Sequence, residues 1–455
     1  MLLASGRVAA QEESRSAAPK RQEAAGQAVQ HAATLAQQQA LLRETPVTYA
    51  QILADPDNLD LNVRYAKTQM ARGDLMGASA TLERILLLHP ALPDAHLFYG
   101  IVLARLESLE EAARELATAQ TLGLPPDLRA QAEDALRAIR LRRRATRWTS
   151  RLTTGFQYDR NRNAAPPDFR LLSDTALGLE GTSRRRPDTS VLAISTLEVA
   201  HDLGLQARHE LTGSFTYYLG EQTRVDDLDL QSFGLAVGGV INTPWANLTP
   251  QVTVDHVMLS RETYLRSQGG RVRLDRALGS RWHPFLETSL VREDFSGITE
   301  NTAAPERQGD RVTLEGGATL LLTPTMQLAT SLGYNHKEAK ADYYAYDGVS
   351  LEGAHTWVLP AGQFLINVLA VEADYYDAPD LAIAGHNRRD YQLRYRLTYG
   401  LPLAVVLPER WVPRWFSEQL TTAVSFEQFR SLSTVTNYTY SNSQFGVMVN
   451  KTLEF

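Results

Sequence analysis

Beyond residue 148, apolar and polar side chains alternate with period two, the signature of strands whose two faces meet different surroundings. Along 391–401, Tyr391, Leu393, Tyr395, Leu397, Tyr399 and Leu401 fall on one face, and Gln392, Arg394, Arg396, Thr398 and Gly400 on the other. Val312, Leu314, Gly316, Ala318 and Leu320 alternate in the same way with Arg311, Thr313, Glu315, Gly317 and Thr319. Met326, Leu328, Leu332 and Tyr334 alternate with Gln327, Ser331 and Asn335. The pattern predicts strands near 148–160, 188–202, 205–219, 227–241, 248–262, 268–279, 284–296, 310–322, 326–340, 347–358, 362–376, 387–402, 418–432 and 441–455, about fourteen in all. Their even number, with short turns (323–325, 359–362) alternating with longer polar loops (297–309, 377–386, 433–440), predicts a transmembrane antiparallel β-barrel. In such a barrel the apolar face meets lipid, the polar face lines a wet lumen, and the short turns face the periplasm.

A water-soluble sandwich would use the same alternation to bury its apolar face. The aromatic residues separate the two readings. Trp148, Trp245, Trp282, Trp357, Trp411 and Trp415 all fall at or beside the predicted periplasmic turns or strand ends. Tyr158, Tyr217, Tyr218, Tyr264, Tyr334, Tyr375, Tyr376 and Tyr391 gather mostly at the opposite end. Rings that are apolar but carry one polar atom settle at the two surfaces of a membrane, whereas a sandwich would place tryptophan at strand centres. No run of apolar residues is long enough for a membrane helix, which leaves strands to do the crossing.

Before residue 148 the pattern is helical and rich in Ala, Leu, Glu, Gln and Arg. Ala66 and Gly100, Ala78 and Ala112, Leu82 and Leu116, and Tyr65 and Tyr99 are each separated by the tetratricopeptide period, with small residues where paired helices approach. Gly73-Asp74 marks a turn within the first pair, Pro90 ends that pair, and Gly123 with Pro125-Pro126 ends the second. The tryptophan usual in the first helix of such repeats is missing, with Asn62 and His96 near that place. A helix over 128–140 is expected to cap the repeats and one near 47–54 to pack in front of them. The chain therefore divides into a lead-in and truncated signal (1–45), a tetratricopeptide-like periplasmic all-α domain (46–147) and the barrel (148–455). Lys67, Met70, Leu97 and Ile101 map to first-helix positions that face the groove of longer arrays, which makes them candidates for binding cargo.

Composition narrows the chemistry. A net charge of −6 argues against nucleic acid as a partner, and the absence of cysteine suits an oxidising compartment. The sequence holds no HExxH pair, nucleophile elbow or phosphate-binding loop, so no enzyme, metal or cofactor is expected. Arg271, Arg273, Asp275, Glu287, Arg311, Glu315, Arg394 and Arg396 are candidate lumen residues, either paired with each other to fill the barrel or touching what passes. The set reads as rather basic. Asp226-Asp227 and Glu293-Asp294 fall at predicted loop edges, where solvation would account for them. The arginines of 137–147 complement a helix C-terminus or reach anionic headgroups.

The last strand alternates Phe445, Val447, Val449 and Leu453 with Gln444, Gly446, Met448, Asn450 and Thr452, and it ends in Phe455. This ending resembles the signal read by the outer-membrane barrel assembly machinery. Repeats followed by a single barrel, together with the segment Thr153 to Pro166 (TTGFQYDRNRNAAP), resemble the surface lipoprotein assembly modulators, the Slam proteins of type XI secretion. That resemblance implies a translocon in the bacterial outer membrane. Its repeats would receive a lipoprotein or soluble protein cargo in the periplasm, and its barrel would pass the cargo to the cell surface. The short repeat domain and the long segment 161–187 depart from the family. An exopolysaccharide-export porin, which also joins repeats to a barrel, and a plain solute porin remain alternatives.

Overall fold

Asn58 opens the first long helix by accepting a hydrogen bond from the Leu61 amide at 3.0 Å, and Asp74 opens the next by accepting from Gly77 at 2.9 Å. Between them Gly73 takes a left-handed φ of 80° that a side chain would strain, so the chain reverses there. The computed structural model describes residues 47–166, 184–279, 281–299, 301–323, 325–403 and 419–455. Six helices, α1 (Tyr49–Ala54), α2 (Leu59–Arg72), α3 (Leu75–Leu88), α4 (Pro93–Arg105), α5 (Leu109–Leu122) and α6 (Pro126–Arg142), form the described part of the N-terminal unit. Proline starts α4 and α6, where its missing N–H costs nothing. The hairpins α2–α3 and α4–α5 begin at Leu59 and Pro93, the same spacing that the small residues keep in the sequence. A Cβ on Gly100 would come within 2.7 Å of Leu116, so only glycine lets α4 and α5 approach this closely. Ala66, Ala78, Leu82, Leu97, Val102, Ala112 and Leu116 are fully buried and form the core of this unit. His96 ties the second hairpin together, with Nδ1 at 2.6 Å from Glu115 and Nε2 at 2.9 Å from the Pro90 carbonyl.

The second unit begins at Trp148. Fourteen antiparallel strands close a barrel in sequence order, with β14 returning to β1. They are β1 (Thr146–Asp159), β2 (Asp188–Asp202), β3 (Glu210–Gln222), β4 (Leu230–Asn242), β5 (Asn247–Leu259), β6 (Glu262–Asp275), β7 (Trp282–Phe295), β8 (Gly309–Thr323), β9 (Met326–Lys337), β10 (Tyr346–Val358), β11 (Phe364–Tyr376), β12 (Arg389–Pro402), β13 (Leu420–Ser433) and β14 (Tyr440–Glu454). Each expected strand is present, although the ends of β3 and β6 lie several residues from their expected places. The β5–β6 connection is a two-residue hairpin in which Ser260 and Arg261 both adopt positive φ (50° and 66°). It lacks the Asn-Gly signal that normally marks such a turn, which is why the sequence pattern overextends β5. At the strand spacing and tilt of such barrels, fourteen strands give a backbone diameter of about 28 Å.

The side that faces outward is apolar. Phe156, Val252, Leu290, Leu332, Leu351, Leu369, Val424 and Val447 all point away from the lumen and stand exposed, Leu332 at 64%. A closed sheet has no second sheet to cover this face. Apolar area of this extent is tolerated only against hydrocarbon, and the fold is a transmembrane β-barrel. No described helix is long and apolar enough to cross a membrane. Trp148, Trp245, Trp282 and Trp357 lie at the end where β1 begins and β14 finishes, here called the inner end, and all are exposed. Trp411 and Trp415 lie outside the described residues, as does the lead-in 1–45.

Candidate functional site: the barrel lumen and its outer mouth

Cross-strand register places the candidate lumen residues on inward positions. Arg271 and Arg273 on β6 face Ser289 and Glu287 on β7, and Glu287 in turn faces Glu315 on β8. Arg273 reaches Glu287 at 3.3 Å and stacks 3.9 Å above the Phe285 ring, while Arg271 bonds Gln251 and lies 3.8 Å from Glu287. Across the lumen Glu427 on β13 accepts from Arg394 at 3.0 Å and from Arg396 at 2.8 Å. Arg151 on β1 pairs with Glu198 on β2. Arg311 on β8 reaches Glu293 at 2.8 Å, and Lys337 on β9 holds the other Glu293 oxygen at 2.5 Å.

Glu293 corrects the sequence reading. It is 6% exposed and faces the lumen between two cations rather than standing at a solvated loop edge. A buried carboxylate paired this way costs several kcal/mol when one partner is removed. The expectation of a basic lumen is also overturned. Inward positions carry Glu198, Asp255, Glu287, Glu293, Glu315, Glu352, Glu372 and Glu427, at least as many carboxylates as the cations Arg151, Arg271, Arg273, Arg311, Lys337, Arg394 and Arg396. The arginines were legible because they punctuate strong strand patterns; their acids lie on neighbouring strands far away in sequence.

Above this charged belt the described outer loops pack into a layer. In the loop 296–308, Ile298, Ala304 and Arg307 are buried against inward side chains of β2–β7, among them Leu192, Ile194, Leu259, Leu265 and Phe295. Arg307, 2% exposed, donates to the Tyr264 hydroxyl at 2.9 Å and lies 5.0 Å above Phe295 and 5.4 Å above Tyr344. The loop 338–345 joins it edge to edge, with the Lys340 amide on the Gln308 carbonyl (2.8 Å) and the Ala341 amide on that of Glu306 (2.9 Å). Tyr343 donates to Glu306. Burial, then this carboxylate, pushes the Tyr343 hydroxyl well above its ordinary value, and burial does the same for Tyr344. Ile383 and Ala384 of loop 377–388 pack with Tyr344, Val435 and Tyr438. Arg388 lies between the Tyr376 and Tyr438 rings at 3.6 and 3.8 Å and reaches Asp390 at 3.1 Å.

The segment 153–166 completes the wall. Asp159, 2% exposed, accepts from Asn442 at 2.6 Å and from Gln157 and Gln444 at 3.0 Å each. Asn161 clamps Ala165 through two hydrogen bonds of 2.8 and 3.0 Å, and Ala164 packs on Phe429 and Tyr440. This aspartate–asparagine stretch after β1 is therefore a buried structural clasp.

The candidate groove residues of the helical unit do not form a groove. Met70 and Leu97 are core side chains at 3% and 0% exposure, because with two hairpins the flanking helices cover positions that longer arrays leave open. Ile101 is half-buried against the same core, and Lys67 lies half-buried with its ammonium 4.7 Å above Phe98. Arg137 and Arg143 pair with Asp134 and Glu110. Phe455 follows β14 and is half exposed. Among the described residues no group of three or more His, Asp or Glu is placed to hold a metal ion.

The chain matches no family model and no curated protein. Among solved structures it is similar to the outer membrane channel DcaP of Acinetobacter baumannii, at 9% identity over 68% of this chain and 97% of that one, with a TM-score of 0.36. It is similar also to OccAB3 of Acinetobacter baumannii (9%, 68% and 99%, TM-score 0.34) and to the outer membrane protein opdK of Pseudomonas aeruginosa (10%, 68% and 99%, TM-score 0.33).

Proposed function

We propose that the protein is a gated conduit of the bacterial outer membrane, passing polar cargo through a charge-lined barrel whose outer mouth is closed by its own loops. One observation carries this reading: Arg307 is buried in an interlinked loop layer at the end of a lumen that is lined farther in by ion pairs. A barrel built only to anchor a domain has no need of a wide charged interior or of a loop layer held by buried cations.

The cargo is the finer part of the proposal. Two helical hairpins at tetratricopeptide spacing and the resemblance of 153–166 to Slam proteins together support protein cargo. The helical unit would receive a lipoprotein or soluble protein in the periplasm. The inward carboxylates favour a second reading, a porin for polysaccharide or small solutes, because sugars are held by acids and aromatics. Two assays separate these. Surface-protease exposure of neighbouring gene products, with and without this gene, should change if protein is the cargo. Liposomes carrying the purified chain should take up oligosaccharide if it is a porin. A barrel that passes neither, even with the Arg307 latch removed, would overturn the conduit reading itself.

A further inference from the structure

Charges on the outward face of this barrel are treated differently in two sectors of its outer rim. Between β7 and β10 they have partners within the protein: Arg292 lies 3.6 Å from Asp310, and Asp347 accepts from the Tyr334 hydroxyl at 2.6 Å and lies 2.9 Å from His336. Between β12 and β1 they are not. Arg389 opens β12 and Arg430 lies near the outer end of β13, both outward and exposed, since their inward neighbours Asp390 and Ser431 are buried. Arg160 stands exposed in the turn after β1, its amide bonded to the Ser443 carbonyl. None of these three guanidinium groups has a carboxylate partner among the described residues.

Their level matters as much as their charge. From Leu420 to Arg430 the strand climbs about 25 Å at ~3.3 Å per residue and a tilt of about 40°, which is the height of the apolar band of such barrels. Tyr158, Tyr375 and Tyr391 point outward at the same level, all about 45% exposed, with Tyr375 and Tyr391 in edge contact at 6.3 Å. The arginines are therefore at the headgroup plane of the outer leaflet. A cation at that level gains from an anion beside it, and the described residues supply no carboxylate there.

We propose that Arg389, Arg430 and Arg160 form a binding surface for the phosphate groups of outer-leaflet glycolipid, the phosphates of lipid A, with the adjacent tyrosines against its sugar and acyl boundary. The guanidinium fork suits phosphate oxygens. This surface rests on the membrane reading of the barrel but not on what the conduit carries.

The test uses the full-length chain in detergent. Retention of bis-phosphorylated lipid A and of its phosphate-free form is compared by native mass spectrometry. Wild type should retain the phosphorylated form preferentially. The R389Q/R430Q variant should lose about 30-fold, from roughly fivefold per arginine at a charged lipid surface. R292Q, whose charge Asp310 already matches, should stay within about twofold. Barrel assembly is checked by heat-modifiable mobility. If the double variant does not assemble, R389Q and R430Q singly carry the test at about fivefold each, and R389K/R430K should restore most retention. Equal retention of both lipid forms by wild type would overturn the proposal, as would an R292Q loss equal to that of R389Q/R430Q. Binding of inorganic phosphate alone by the lipid-free chain would assign the site to the free anion and overturn the lipid surface.

Discussion

Replacing Arg307 by alanine should open the barrel. Its side chain supplies one charge-assisted hydrogen bond to Tyr264 at 2.9 Å and lies over Phe295 and Tyr344. A hydrogen bond from a charged donor contributes about 2 kcal/mol, and buried cation–π contact about 1 kcal/mol more. Losing about 3 kcal/mol from the closed layer shifts its opening equilibrium about 100-fold. Glu293 is not left uncompensated by the change, since Arg311 and Lys337 still hold it, so the barrel wall should remain intact. Single-channel recording in planar bilayers reads the effect as open probability. Arg292→Ala, an exposed outward pair with Asp310, serves as the control and should move it by less than about twofold. An Arg307→Ala barrel that assembles normally and opens no more often than wild type would refute the latch.

Glu427→Gln leaves Arg394 and Arg396 without their shared carboxylate, so reversal potentials in open barrels should shift toward anion selectivity; an unchanged potential would mean that this belt does not border the path. Leu290→Arg, placed outward on β7, should cost about 2–4 kcal/mol in denaturant unfolding from vesicles, whereas an exposed site in water would tolerate it within about 0.5 kcal/mol. Leu116→Ala at a fully buried site should destabilise the helical unit by about 2–5 kcal/mol, read as an earlier loss of the 222 nm signal while the barrel signal persists. Alkaline titration should spare the loop layer at first. The Tyr343 value is raised in the folded state, so its bond to Glu306 contributes fully below the ordinary tyrosine range and is lost only as pH rises through the higher value. Current that rises together with ionisation of the exposed tyrosines would contradict this, and Tyr343→Phe should remove the alkaline transition.

The barrel was legible because its physics is local. Each strand must alternate to face lipid and water, and β12 does so residue by residue from Tyr391 to Leu401. Aromatic placement was legible for the same reason, with Trp148, Trp245, Trp282 and Trp357 sharing one end. The lumen could be read only by half. Parity along a strand places Arg394 inward, but nothing near it in sequence announces Glu427, which arrives through register with β13. The outer layer was invisible altogether. Arg307 and Arg388 lie in segments that read as polar loops, and their burial depends on rings from Tyr264, Phe295, Tyr376 and Tyr438 brought in by other strands and loops. In the helical unit the period gave the hairpins correctly, yet Met70 and Leu97 went from groove candidates to core because burial there depends on the helices packed around them.

Hydrocarbon solvates the outward face of the barrel and water the inward one. Nitroxide labels at Leu332→Cys, outward on β9, and Ser331→Cys, its inward neighbour, test it in lipid vesicles by collision with oxygen and with a water-soluble nickel chelate. The barrel predicts high oxygen and low nickel access at 332, with the reverse at 331 and the same alternation along the rest of the strand. Nickel access at 332 equal to that at 331 would place water on both faces and contradict it.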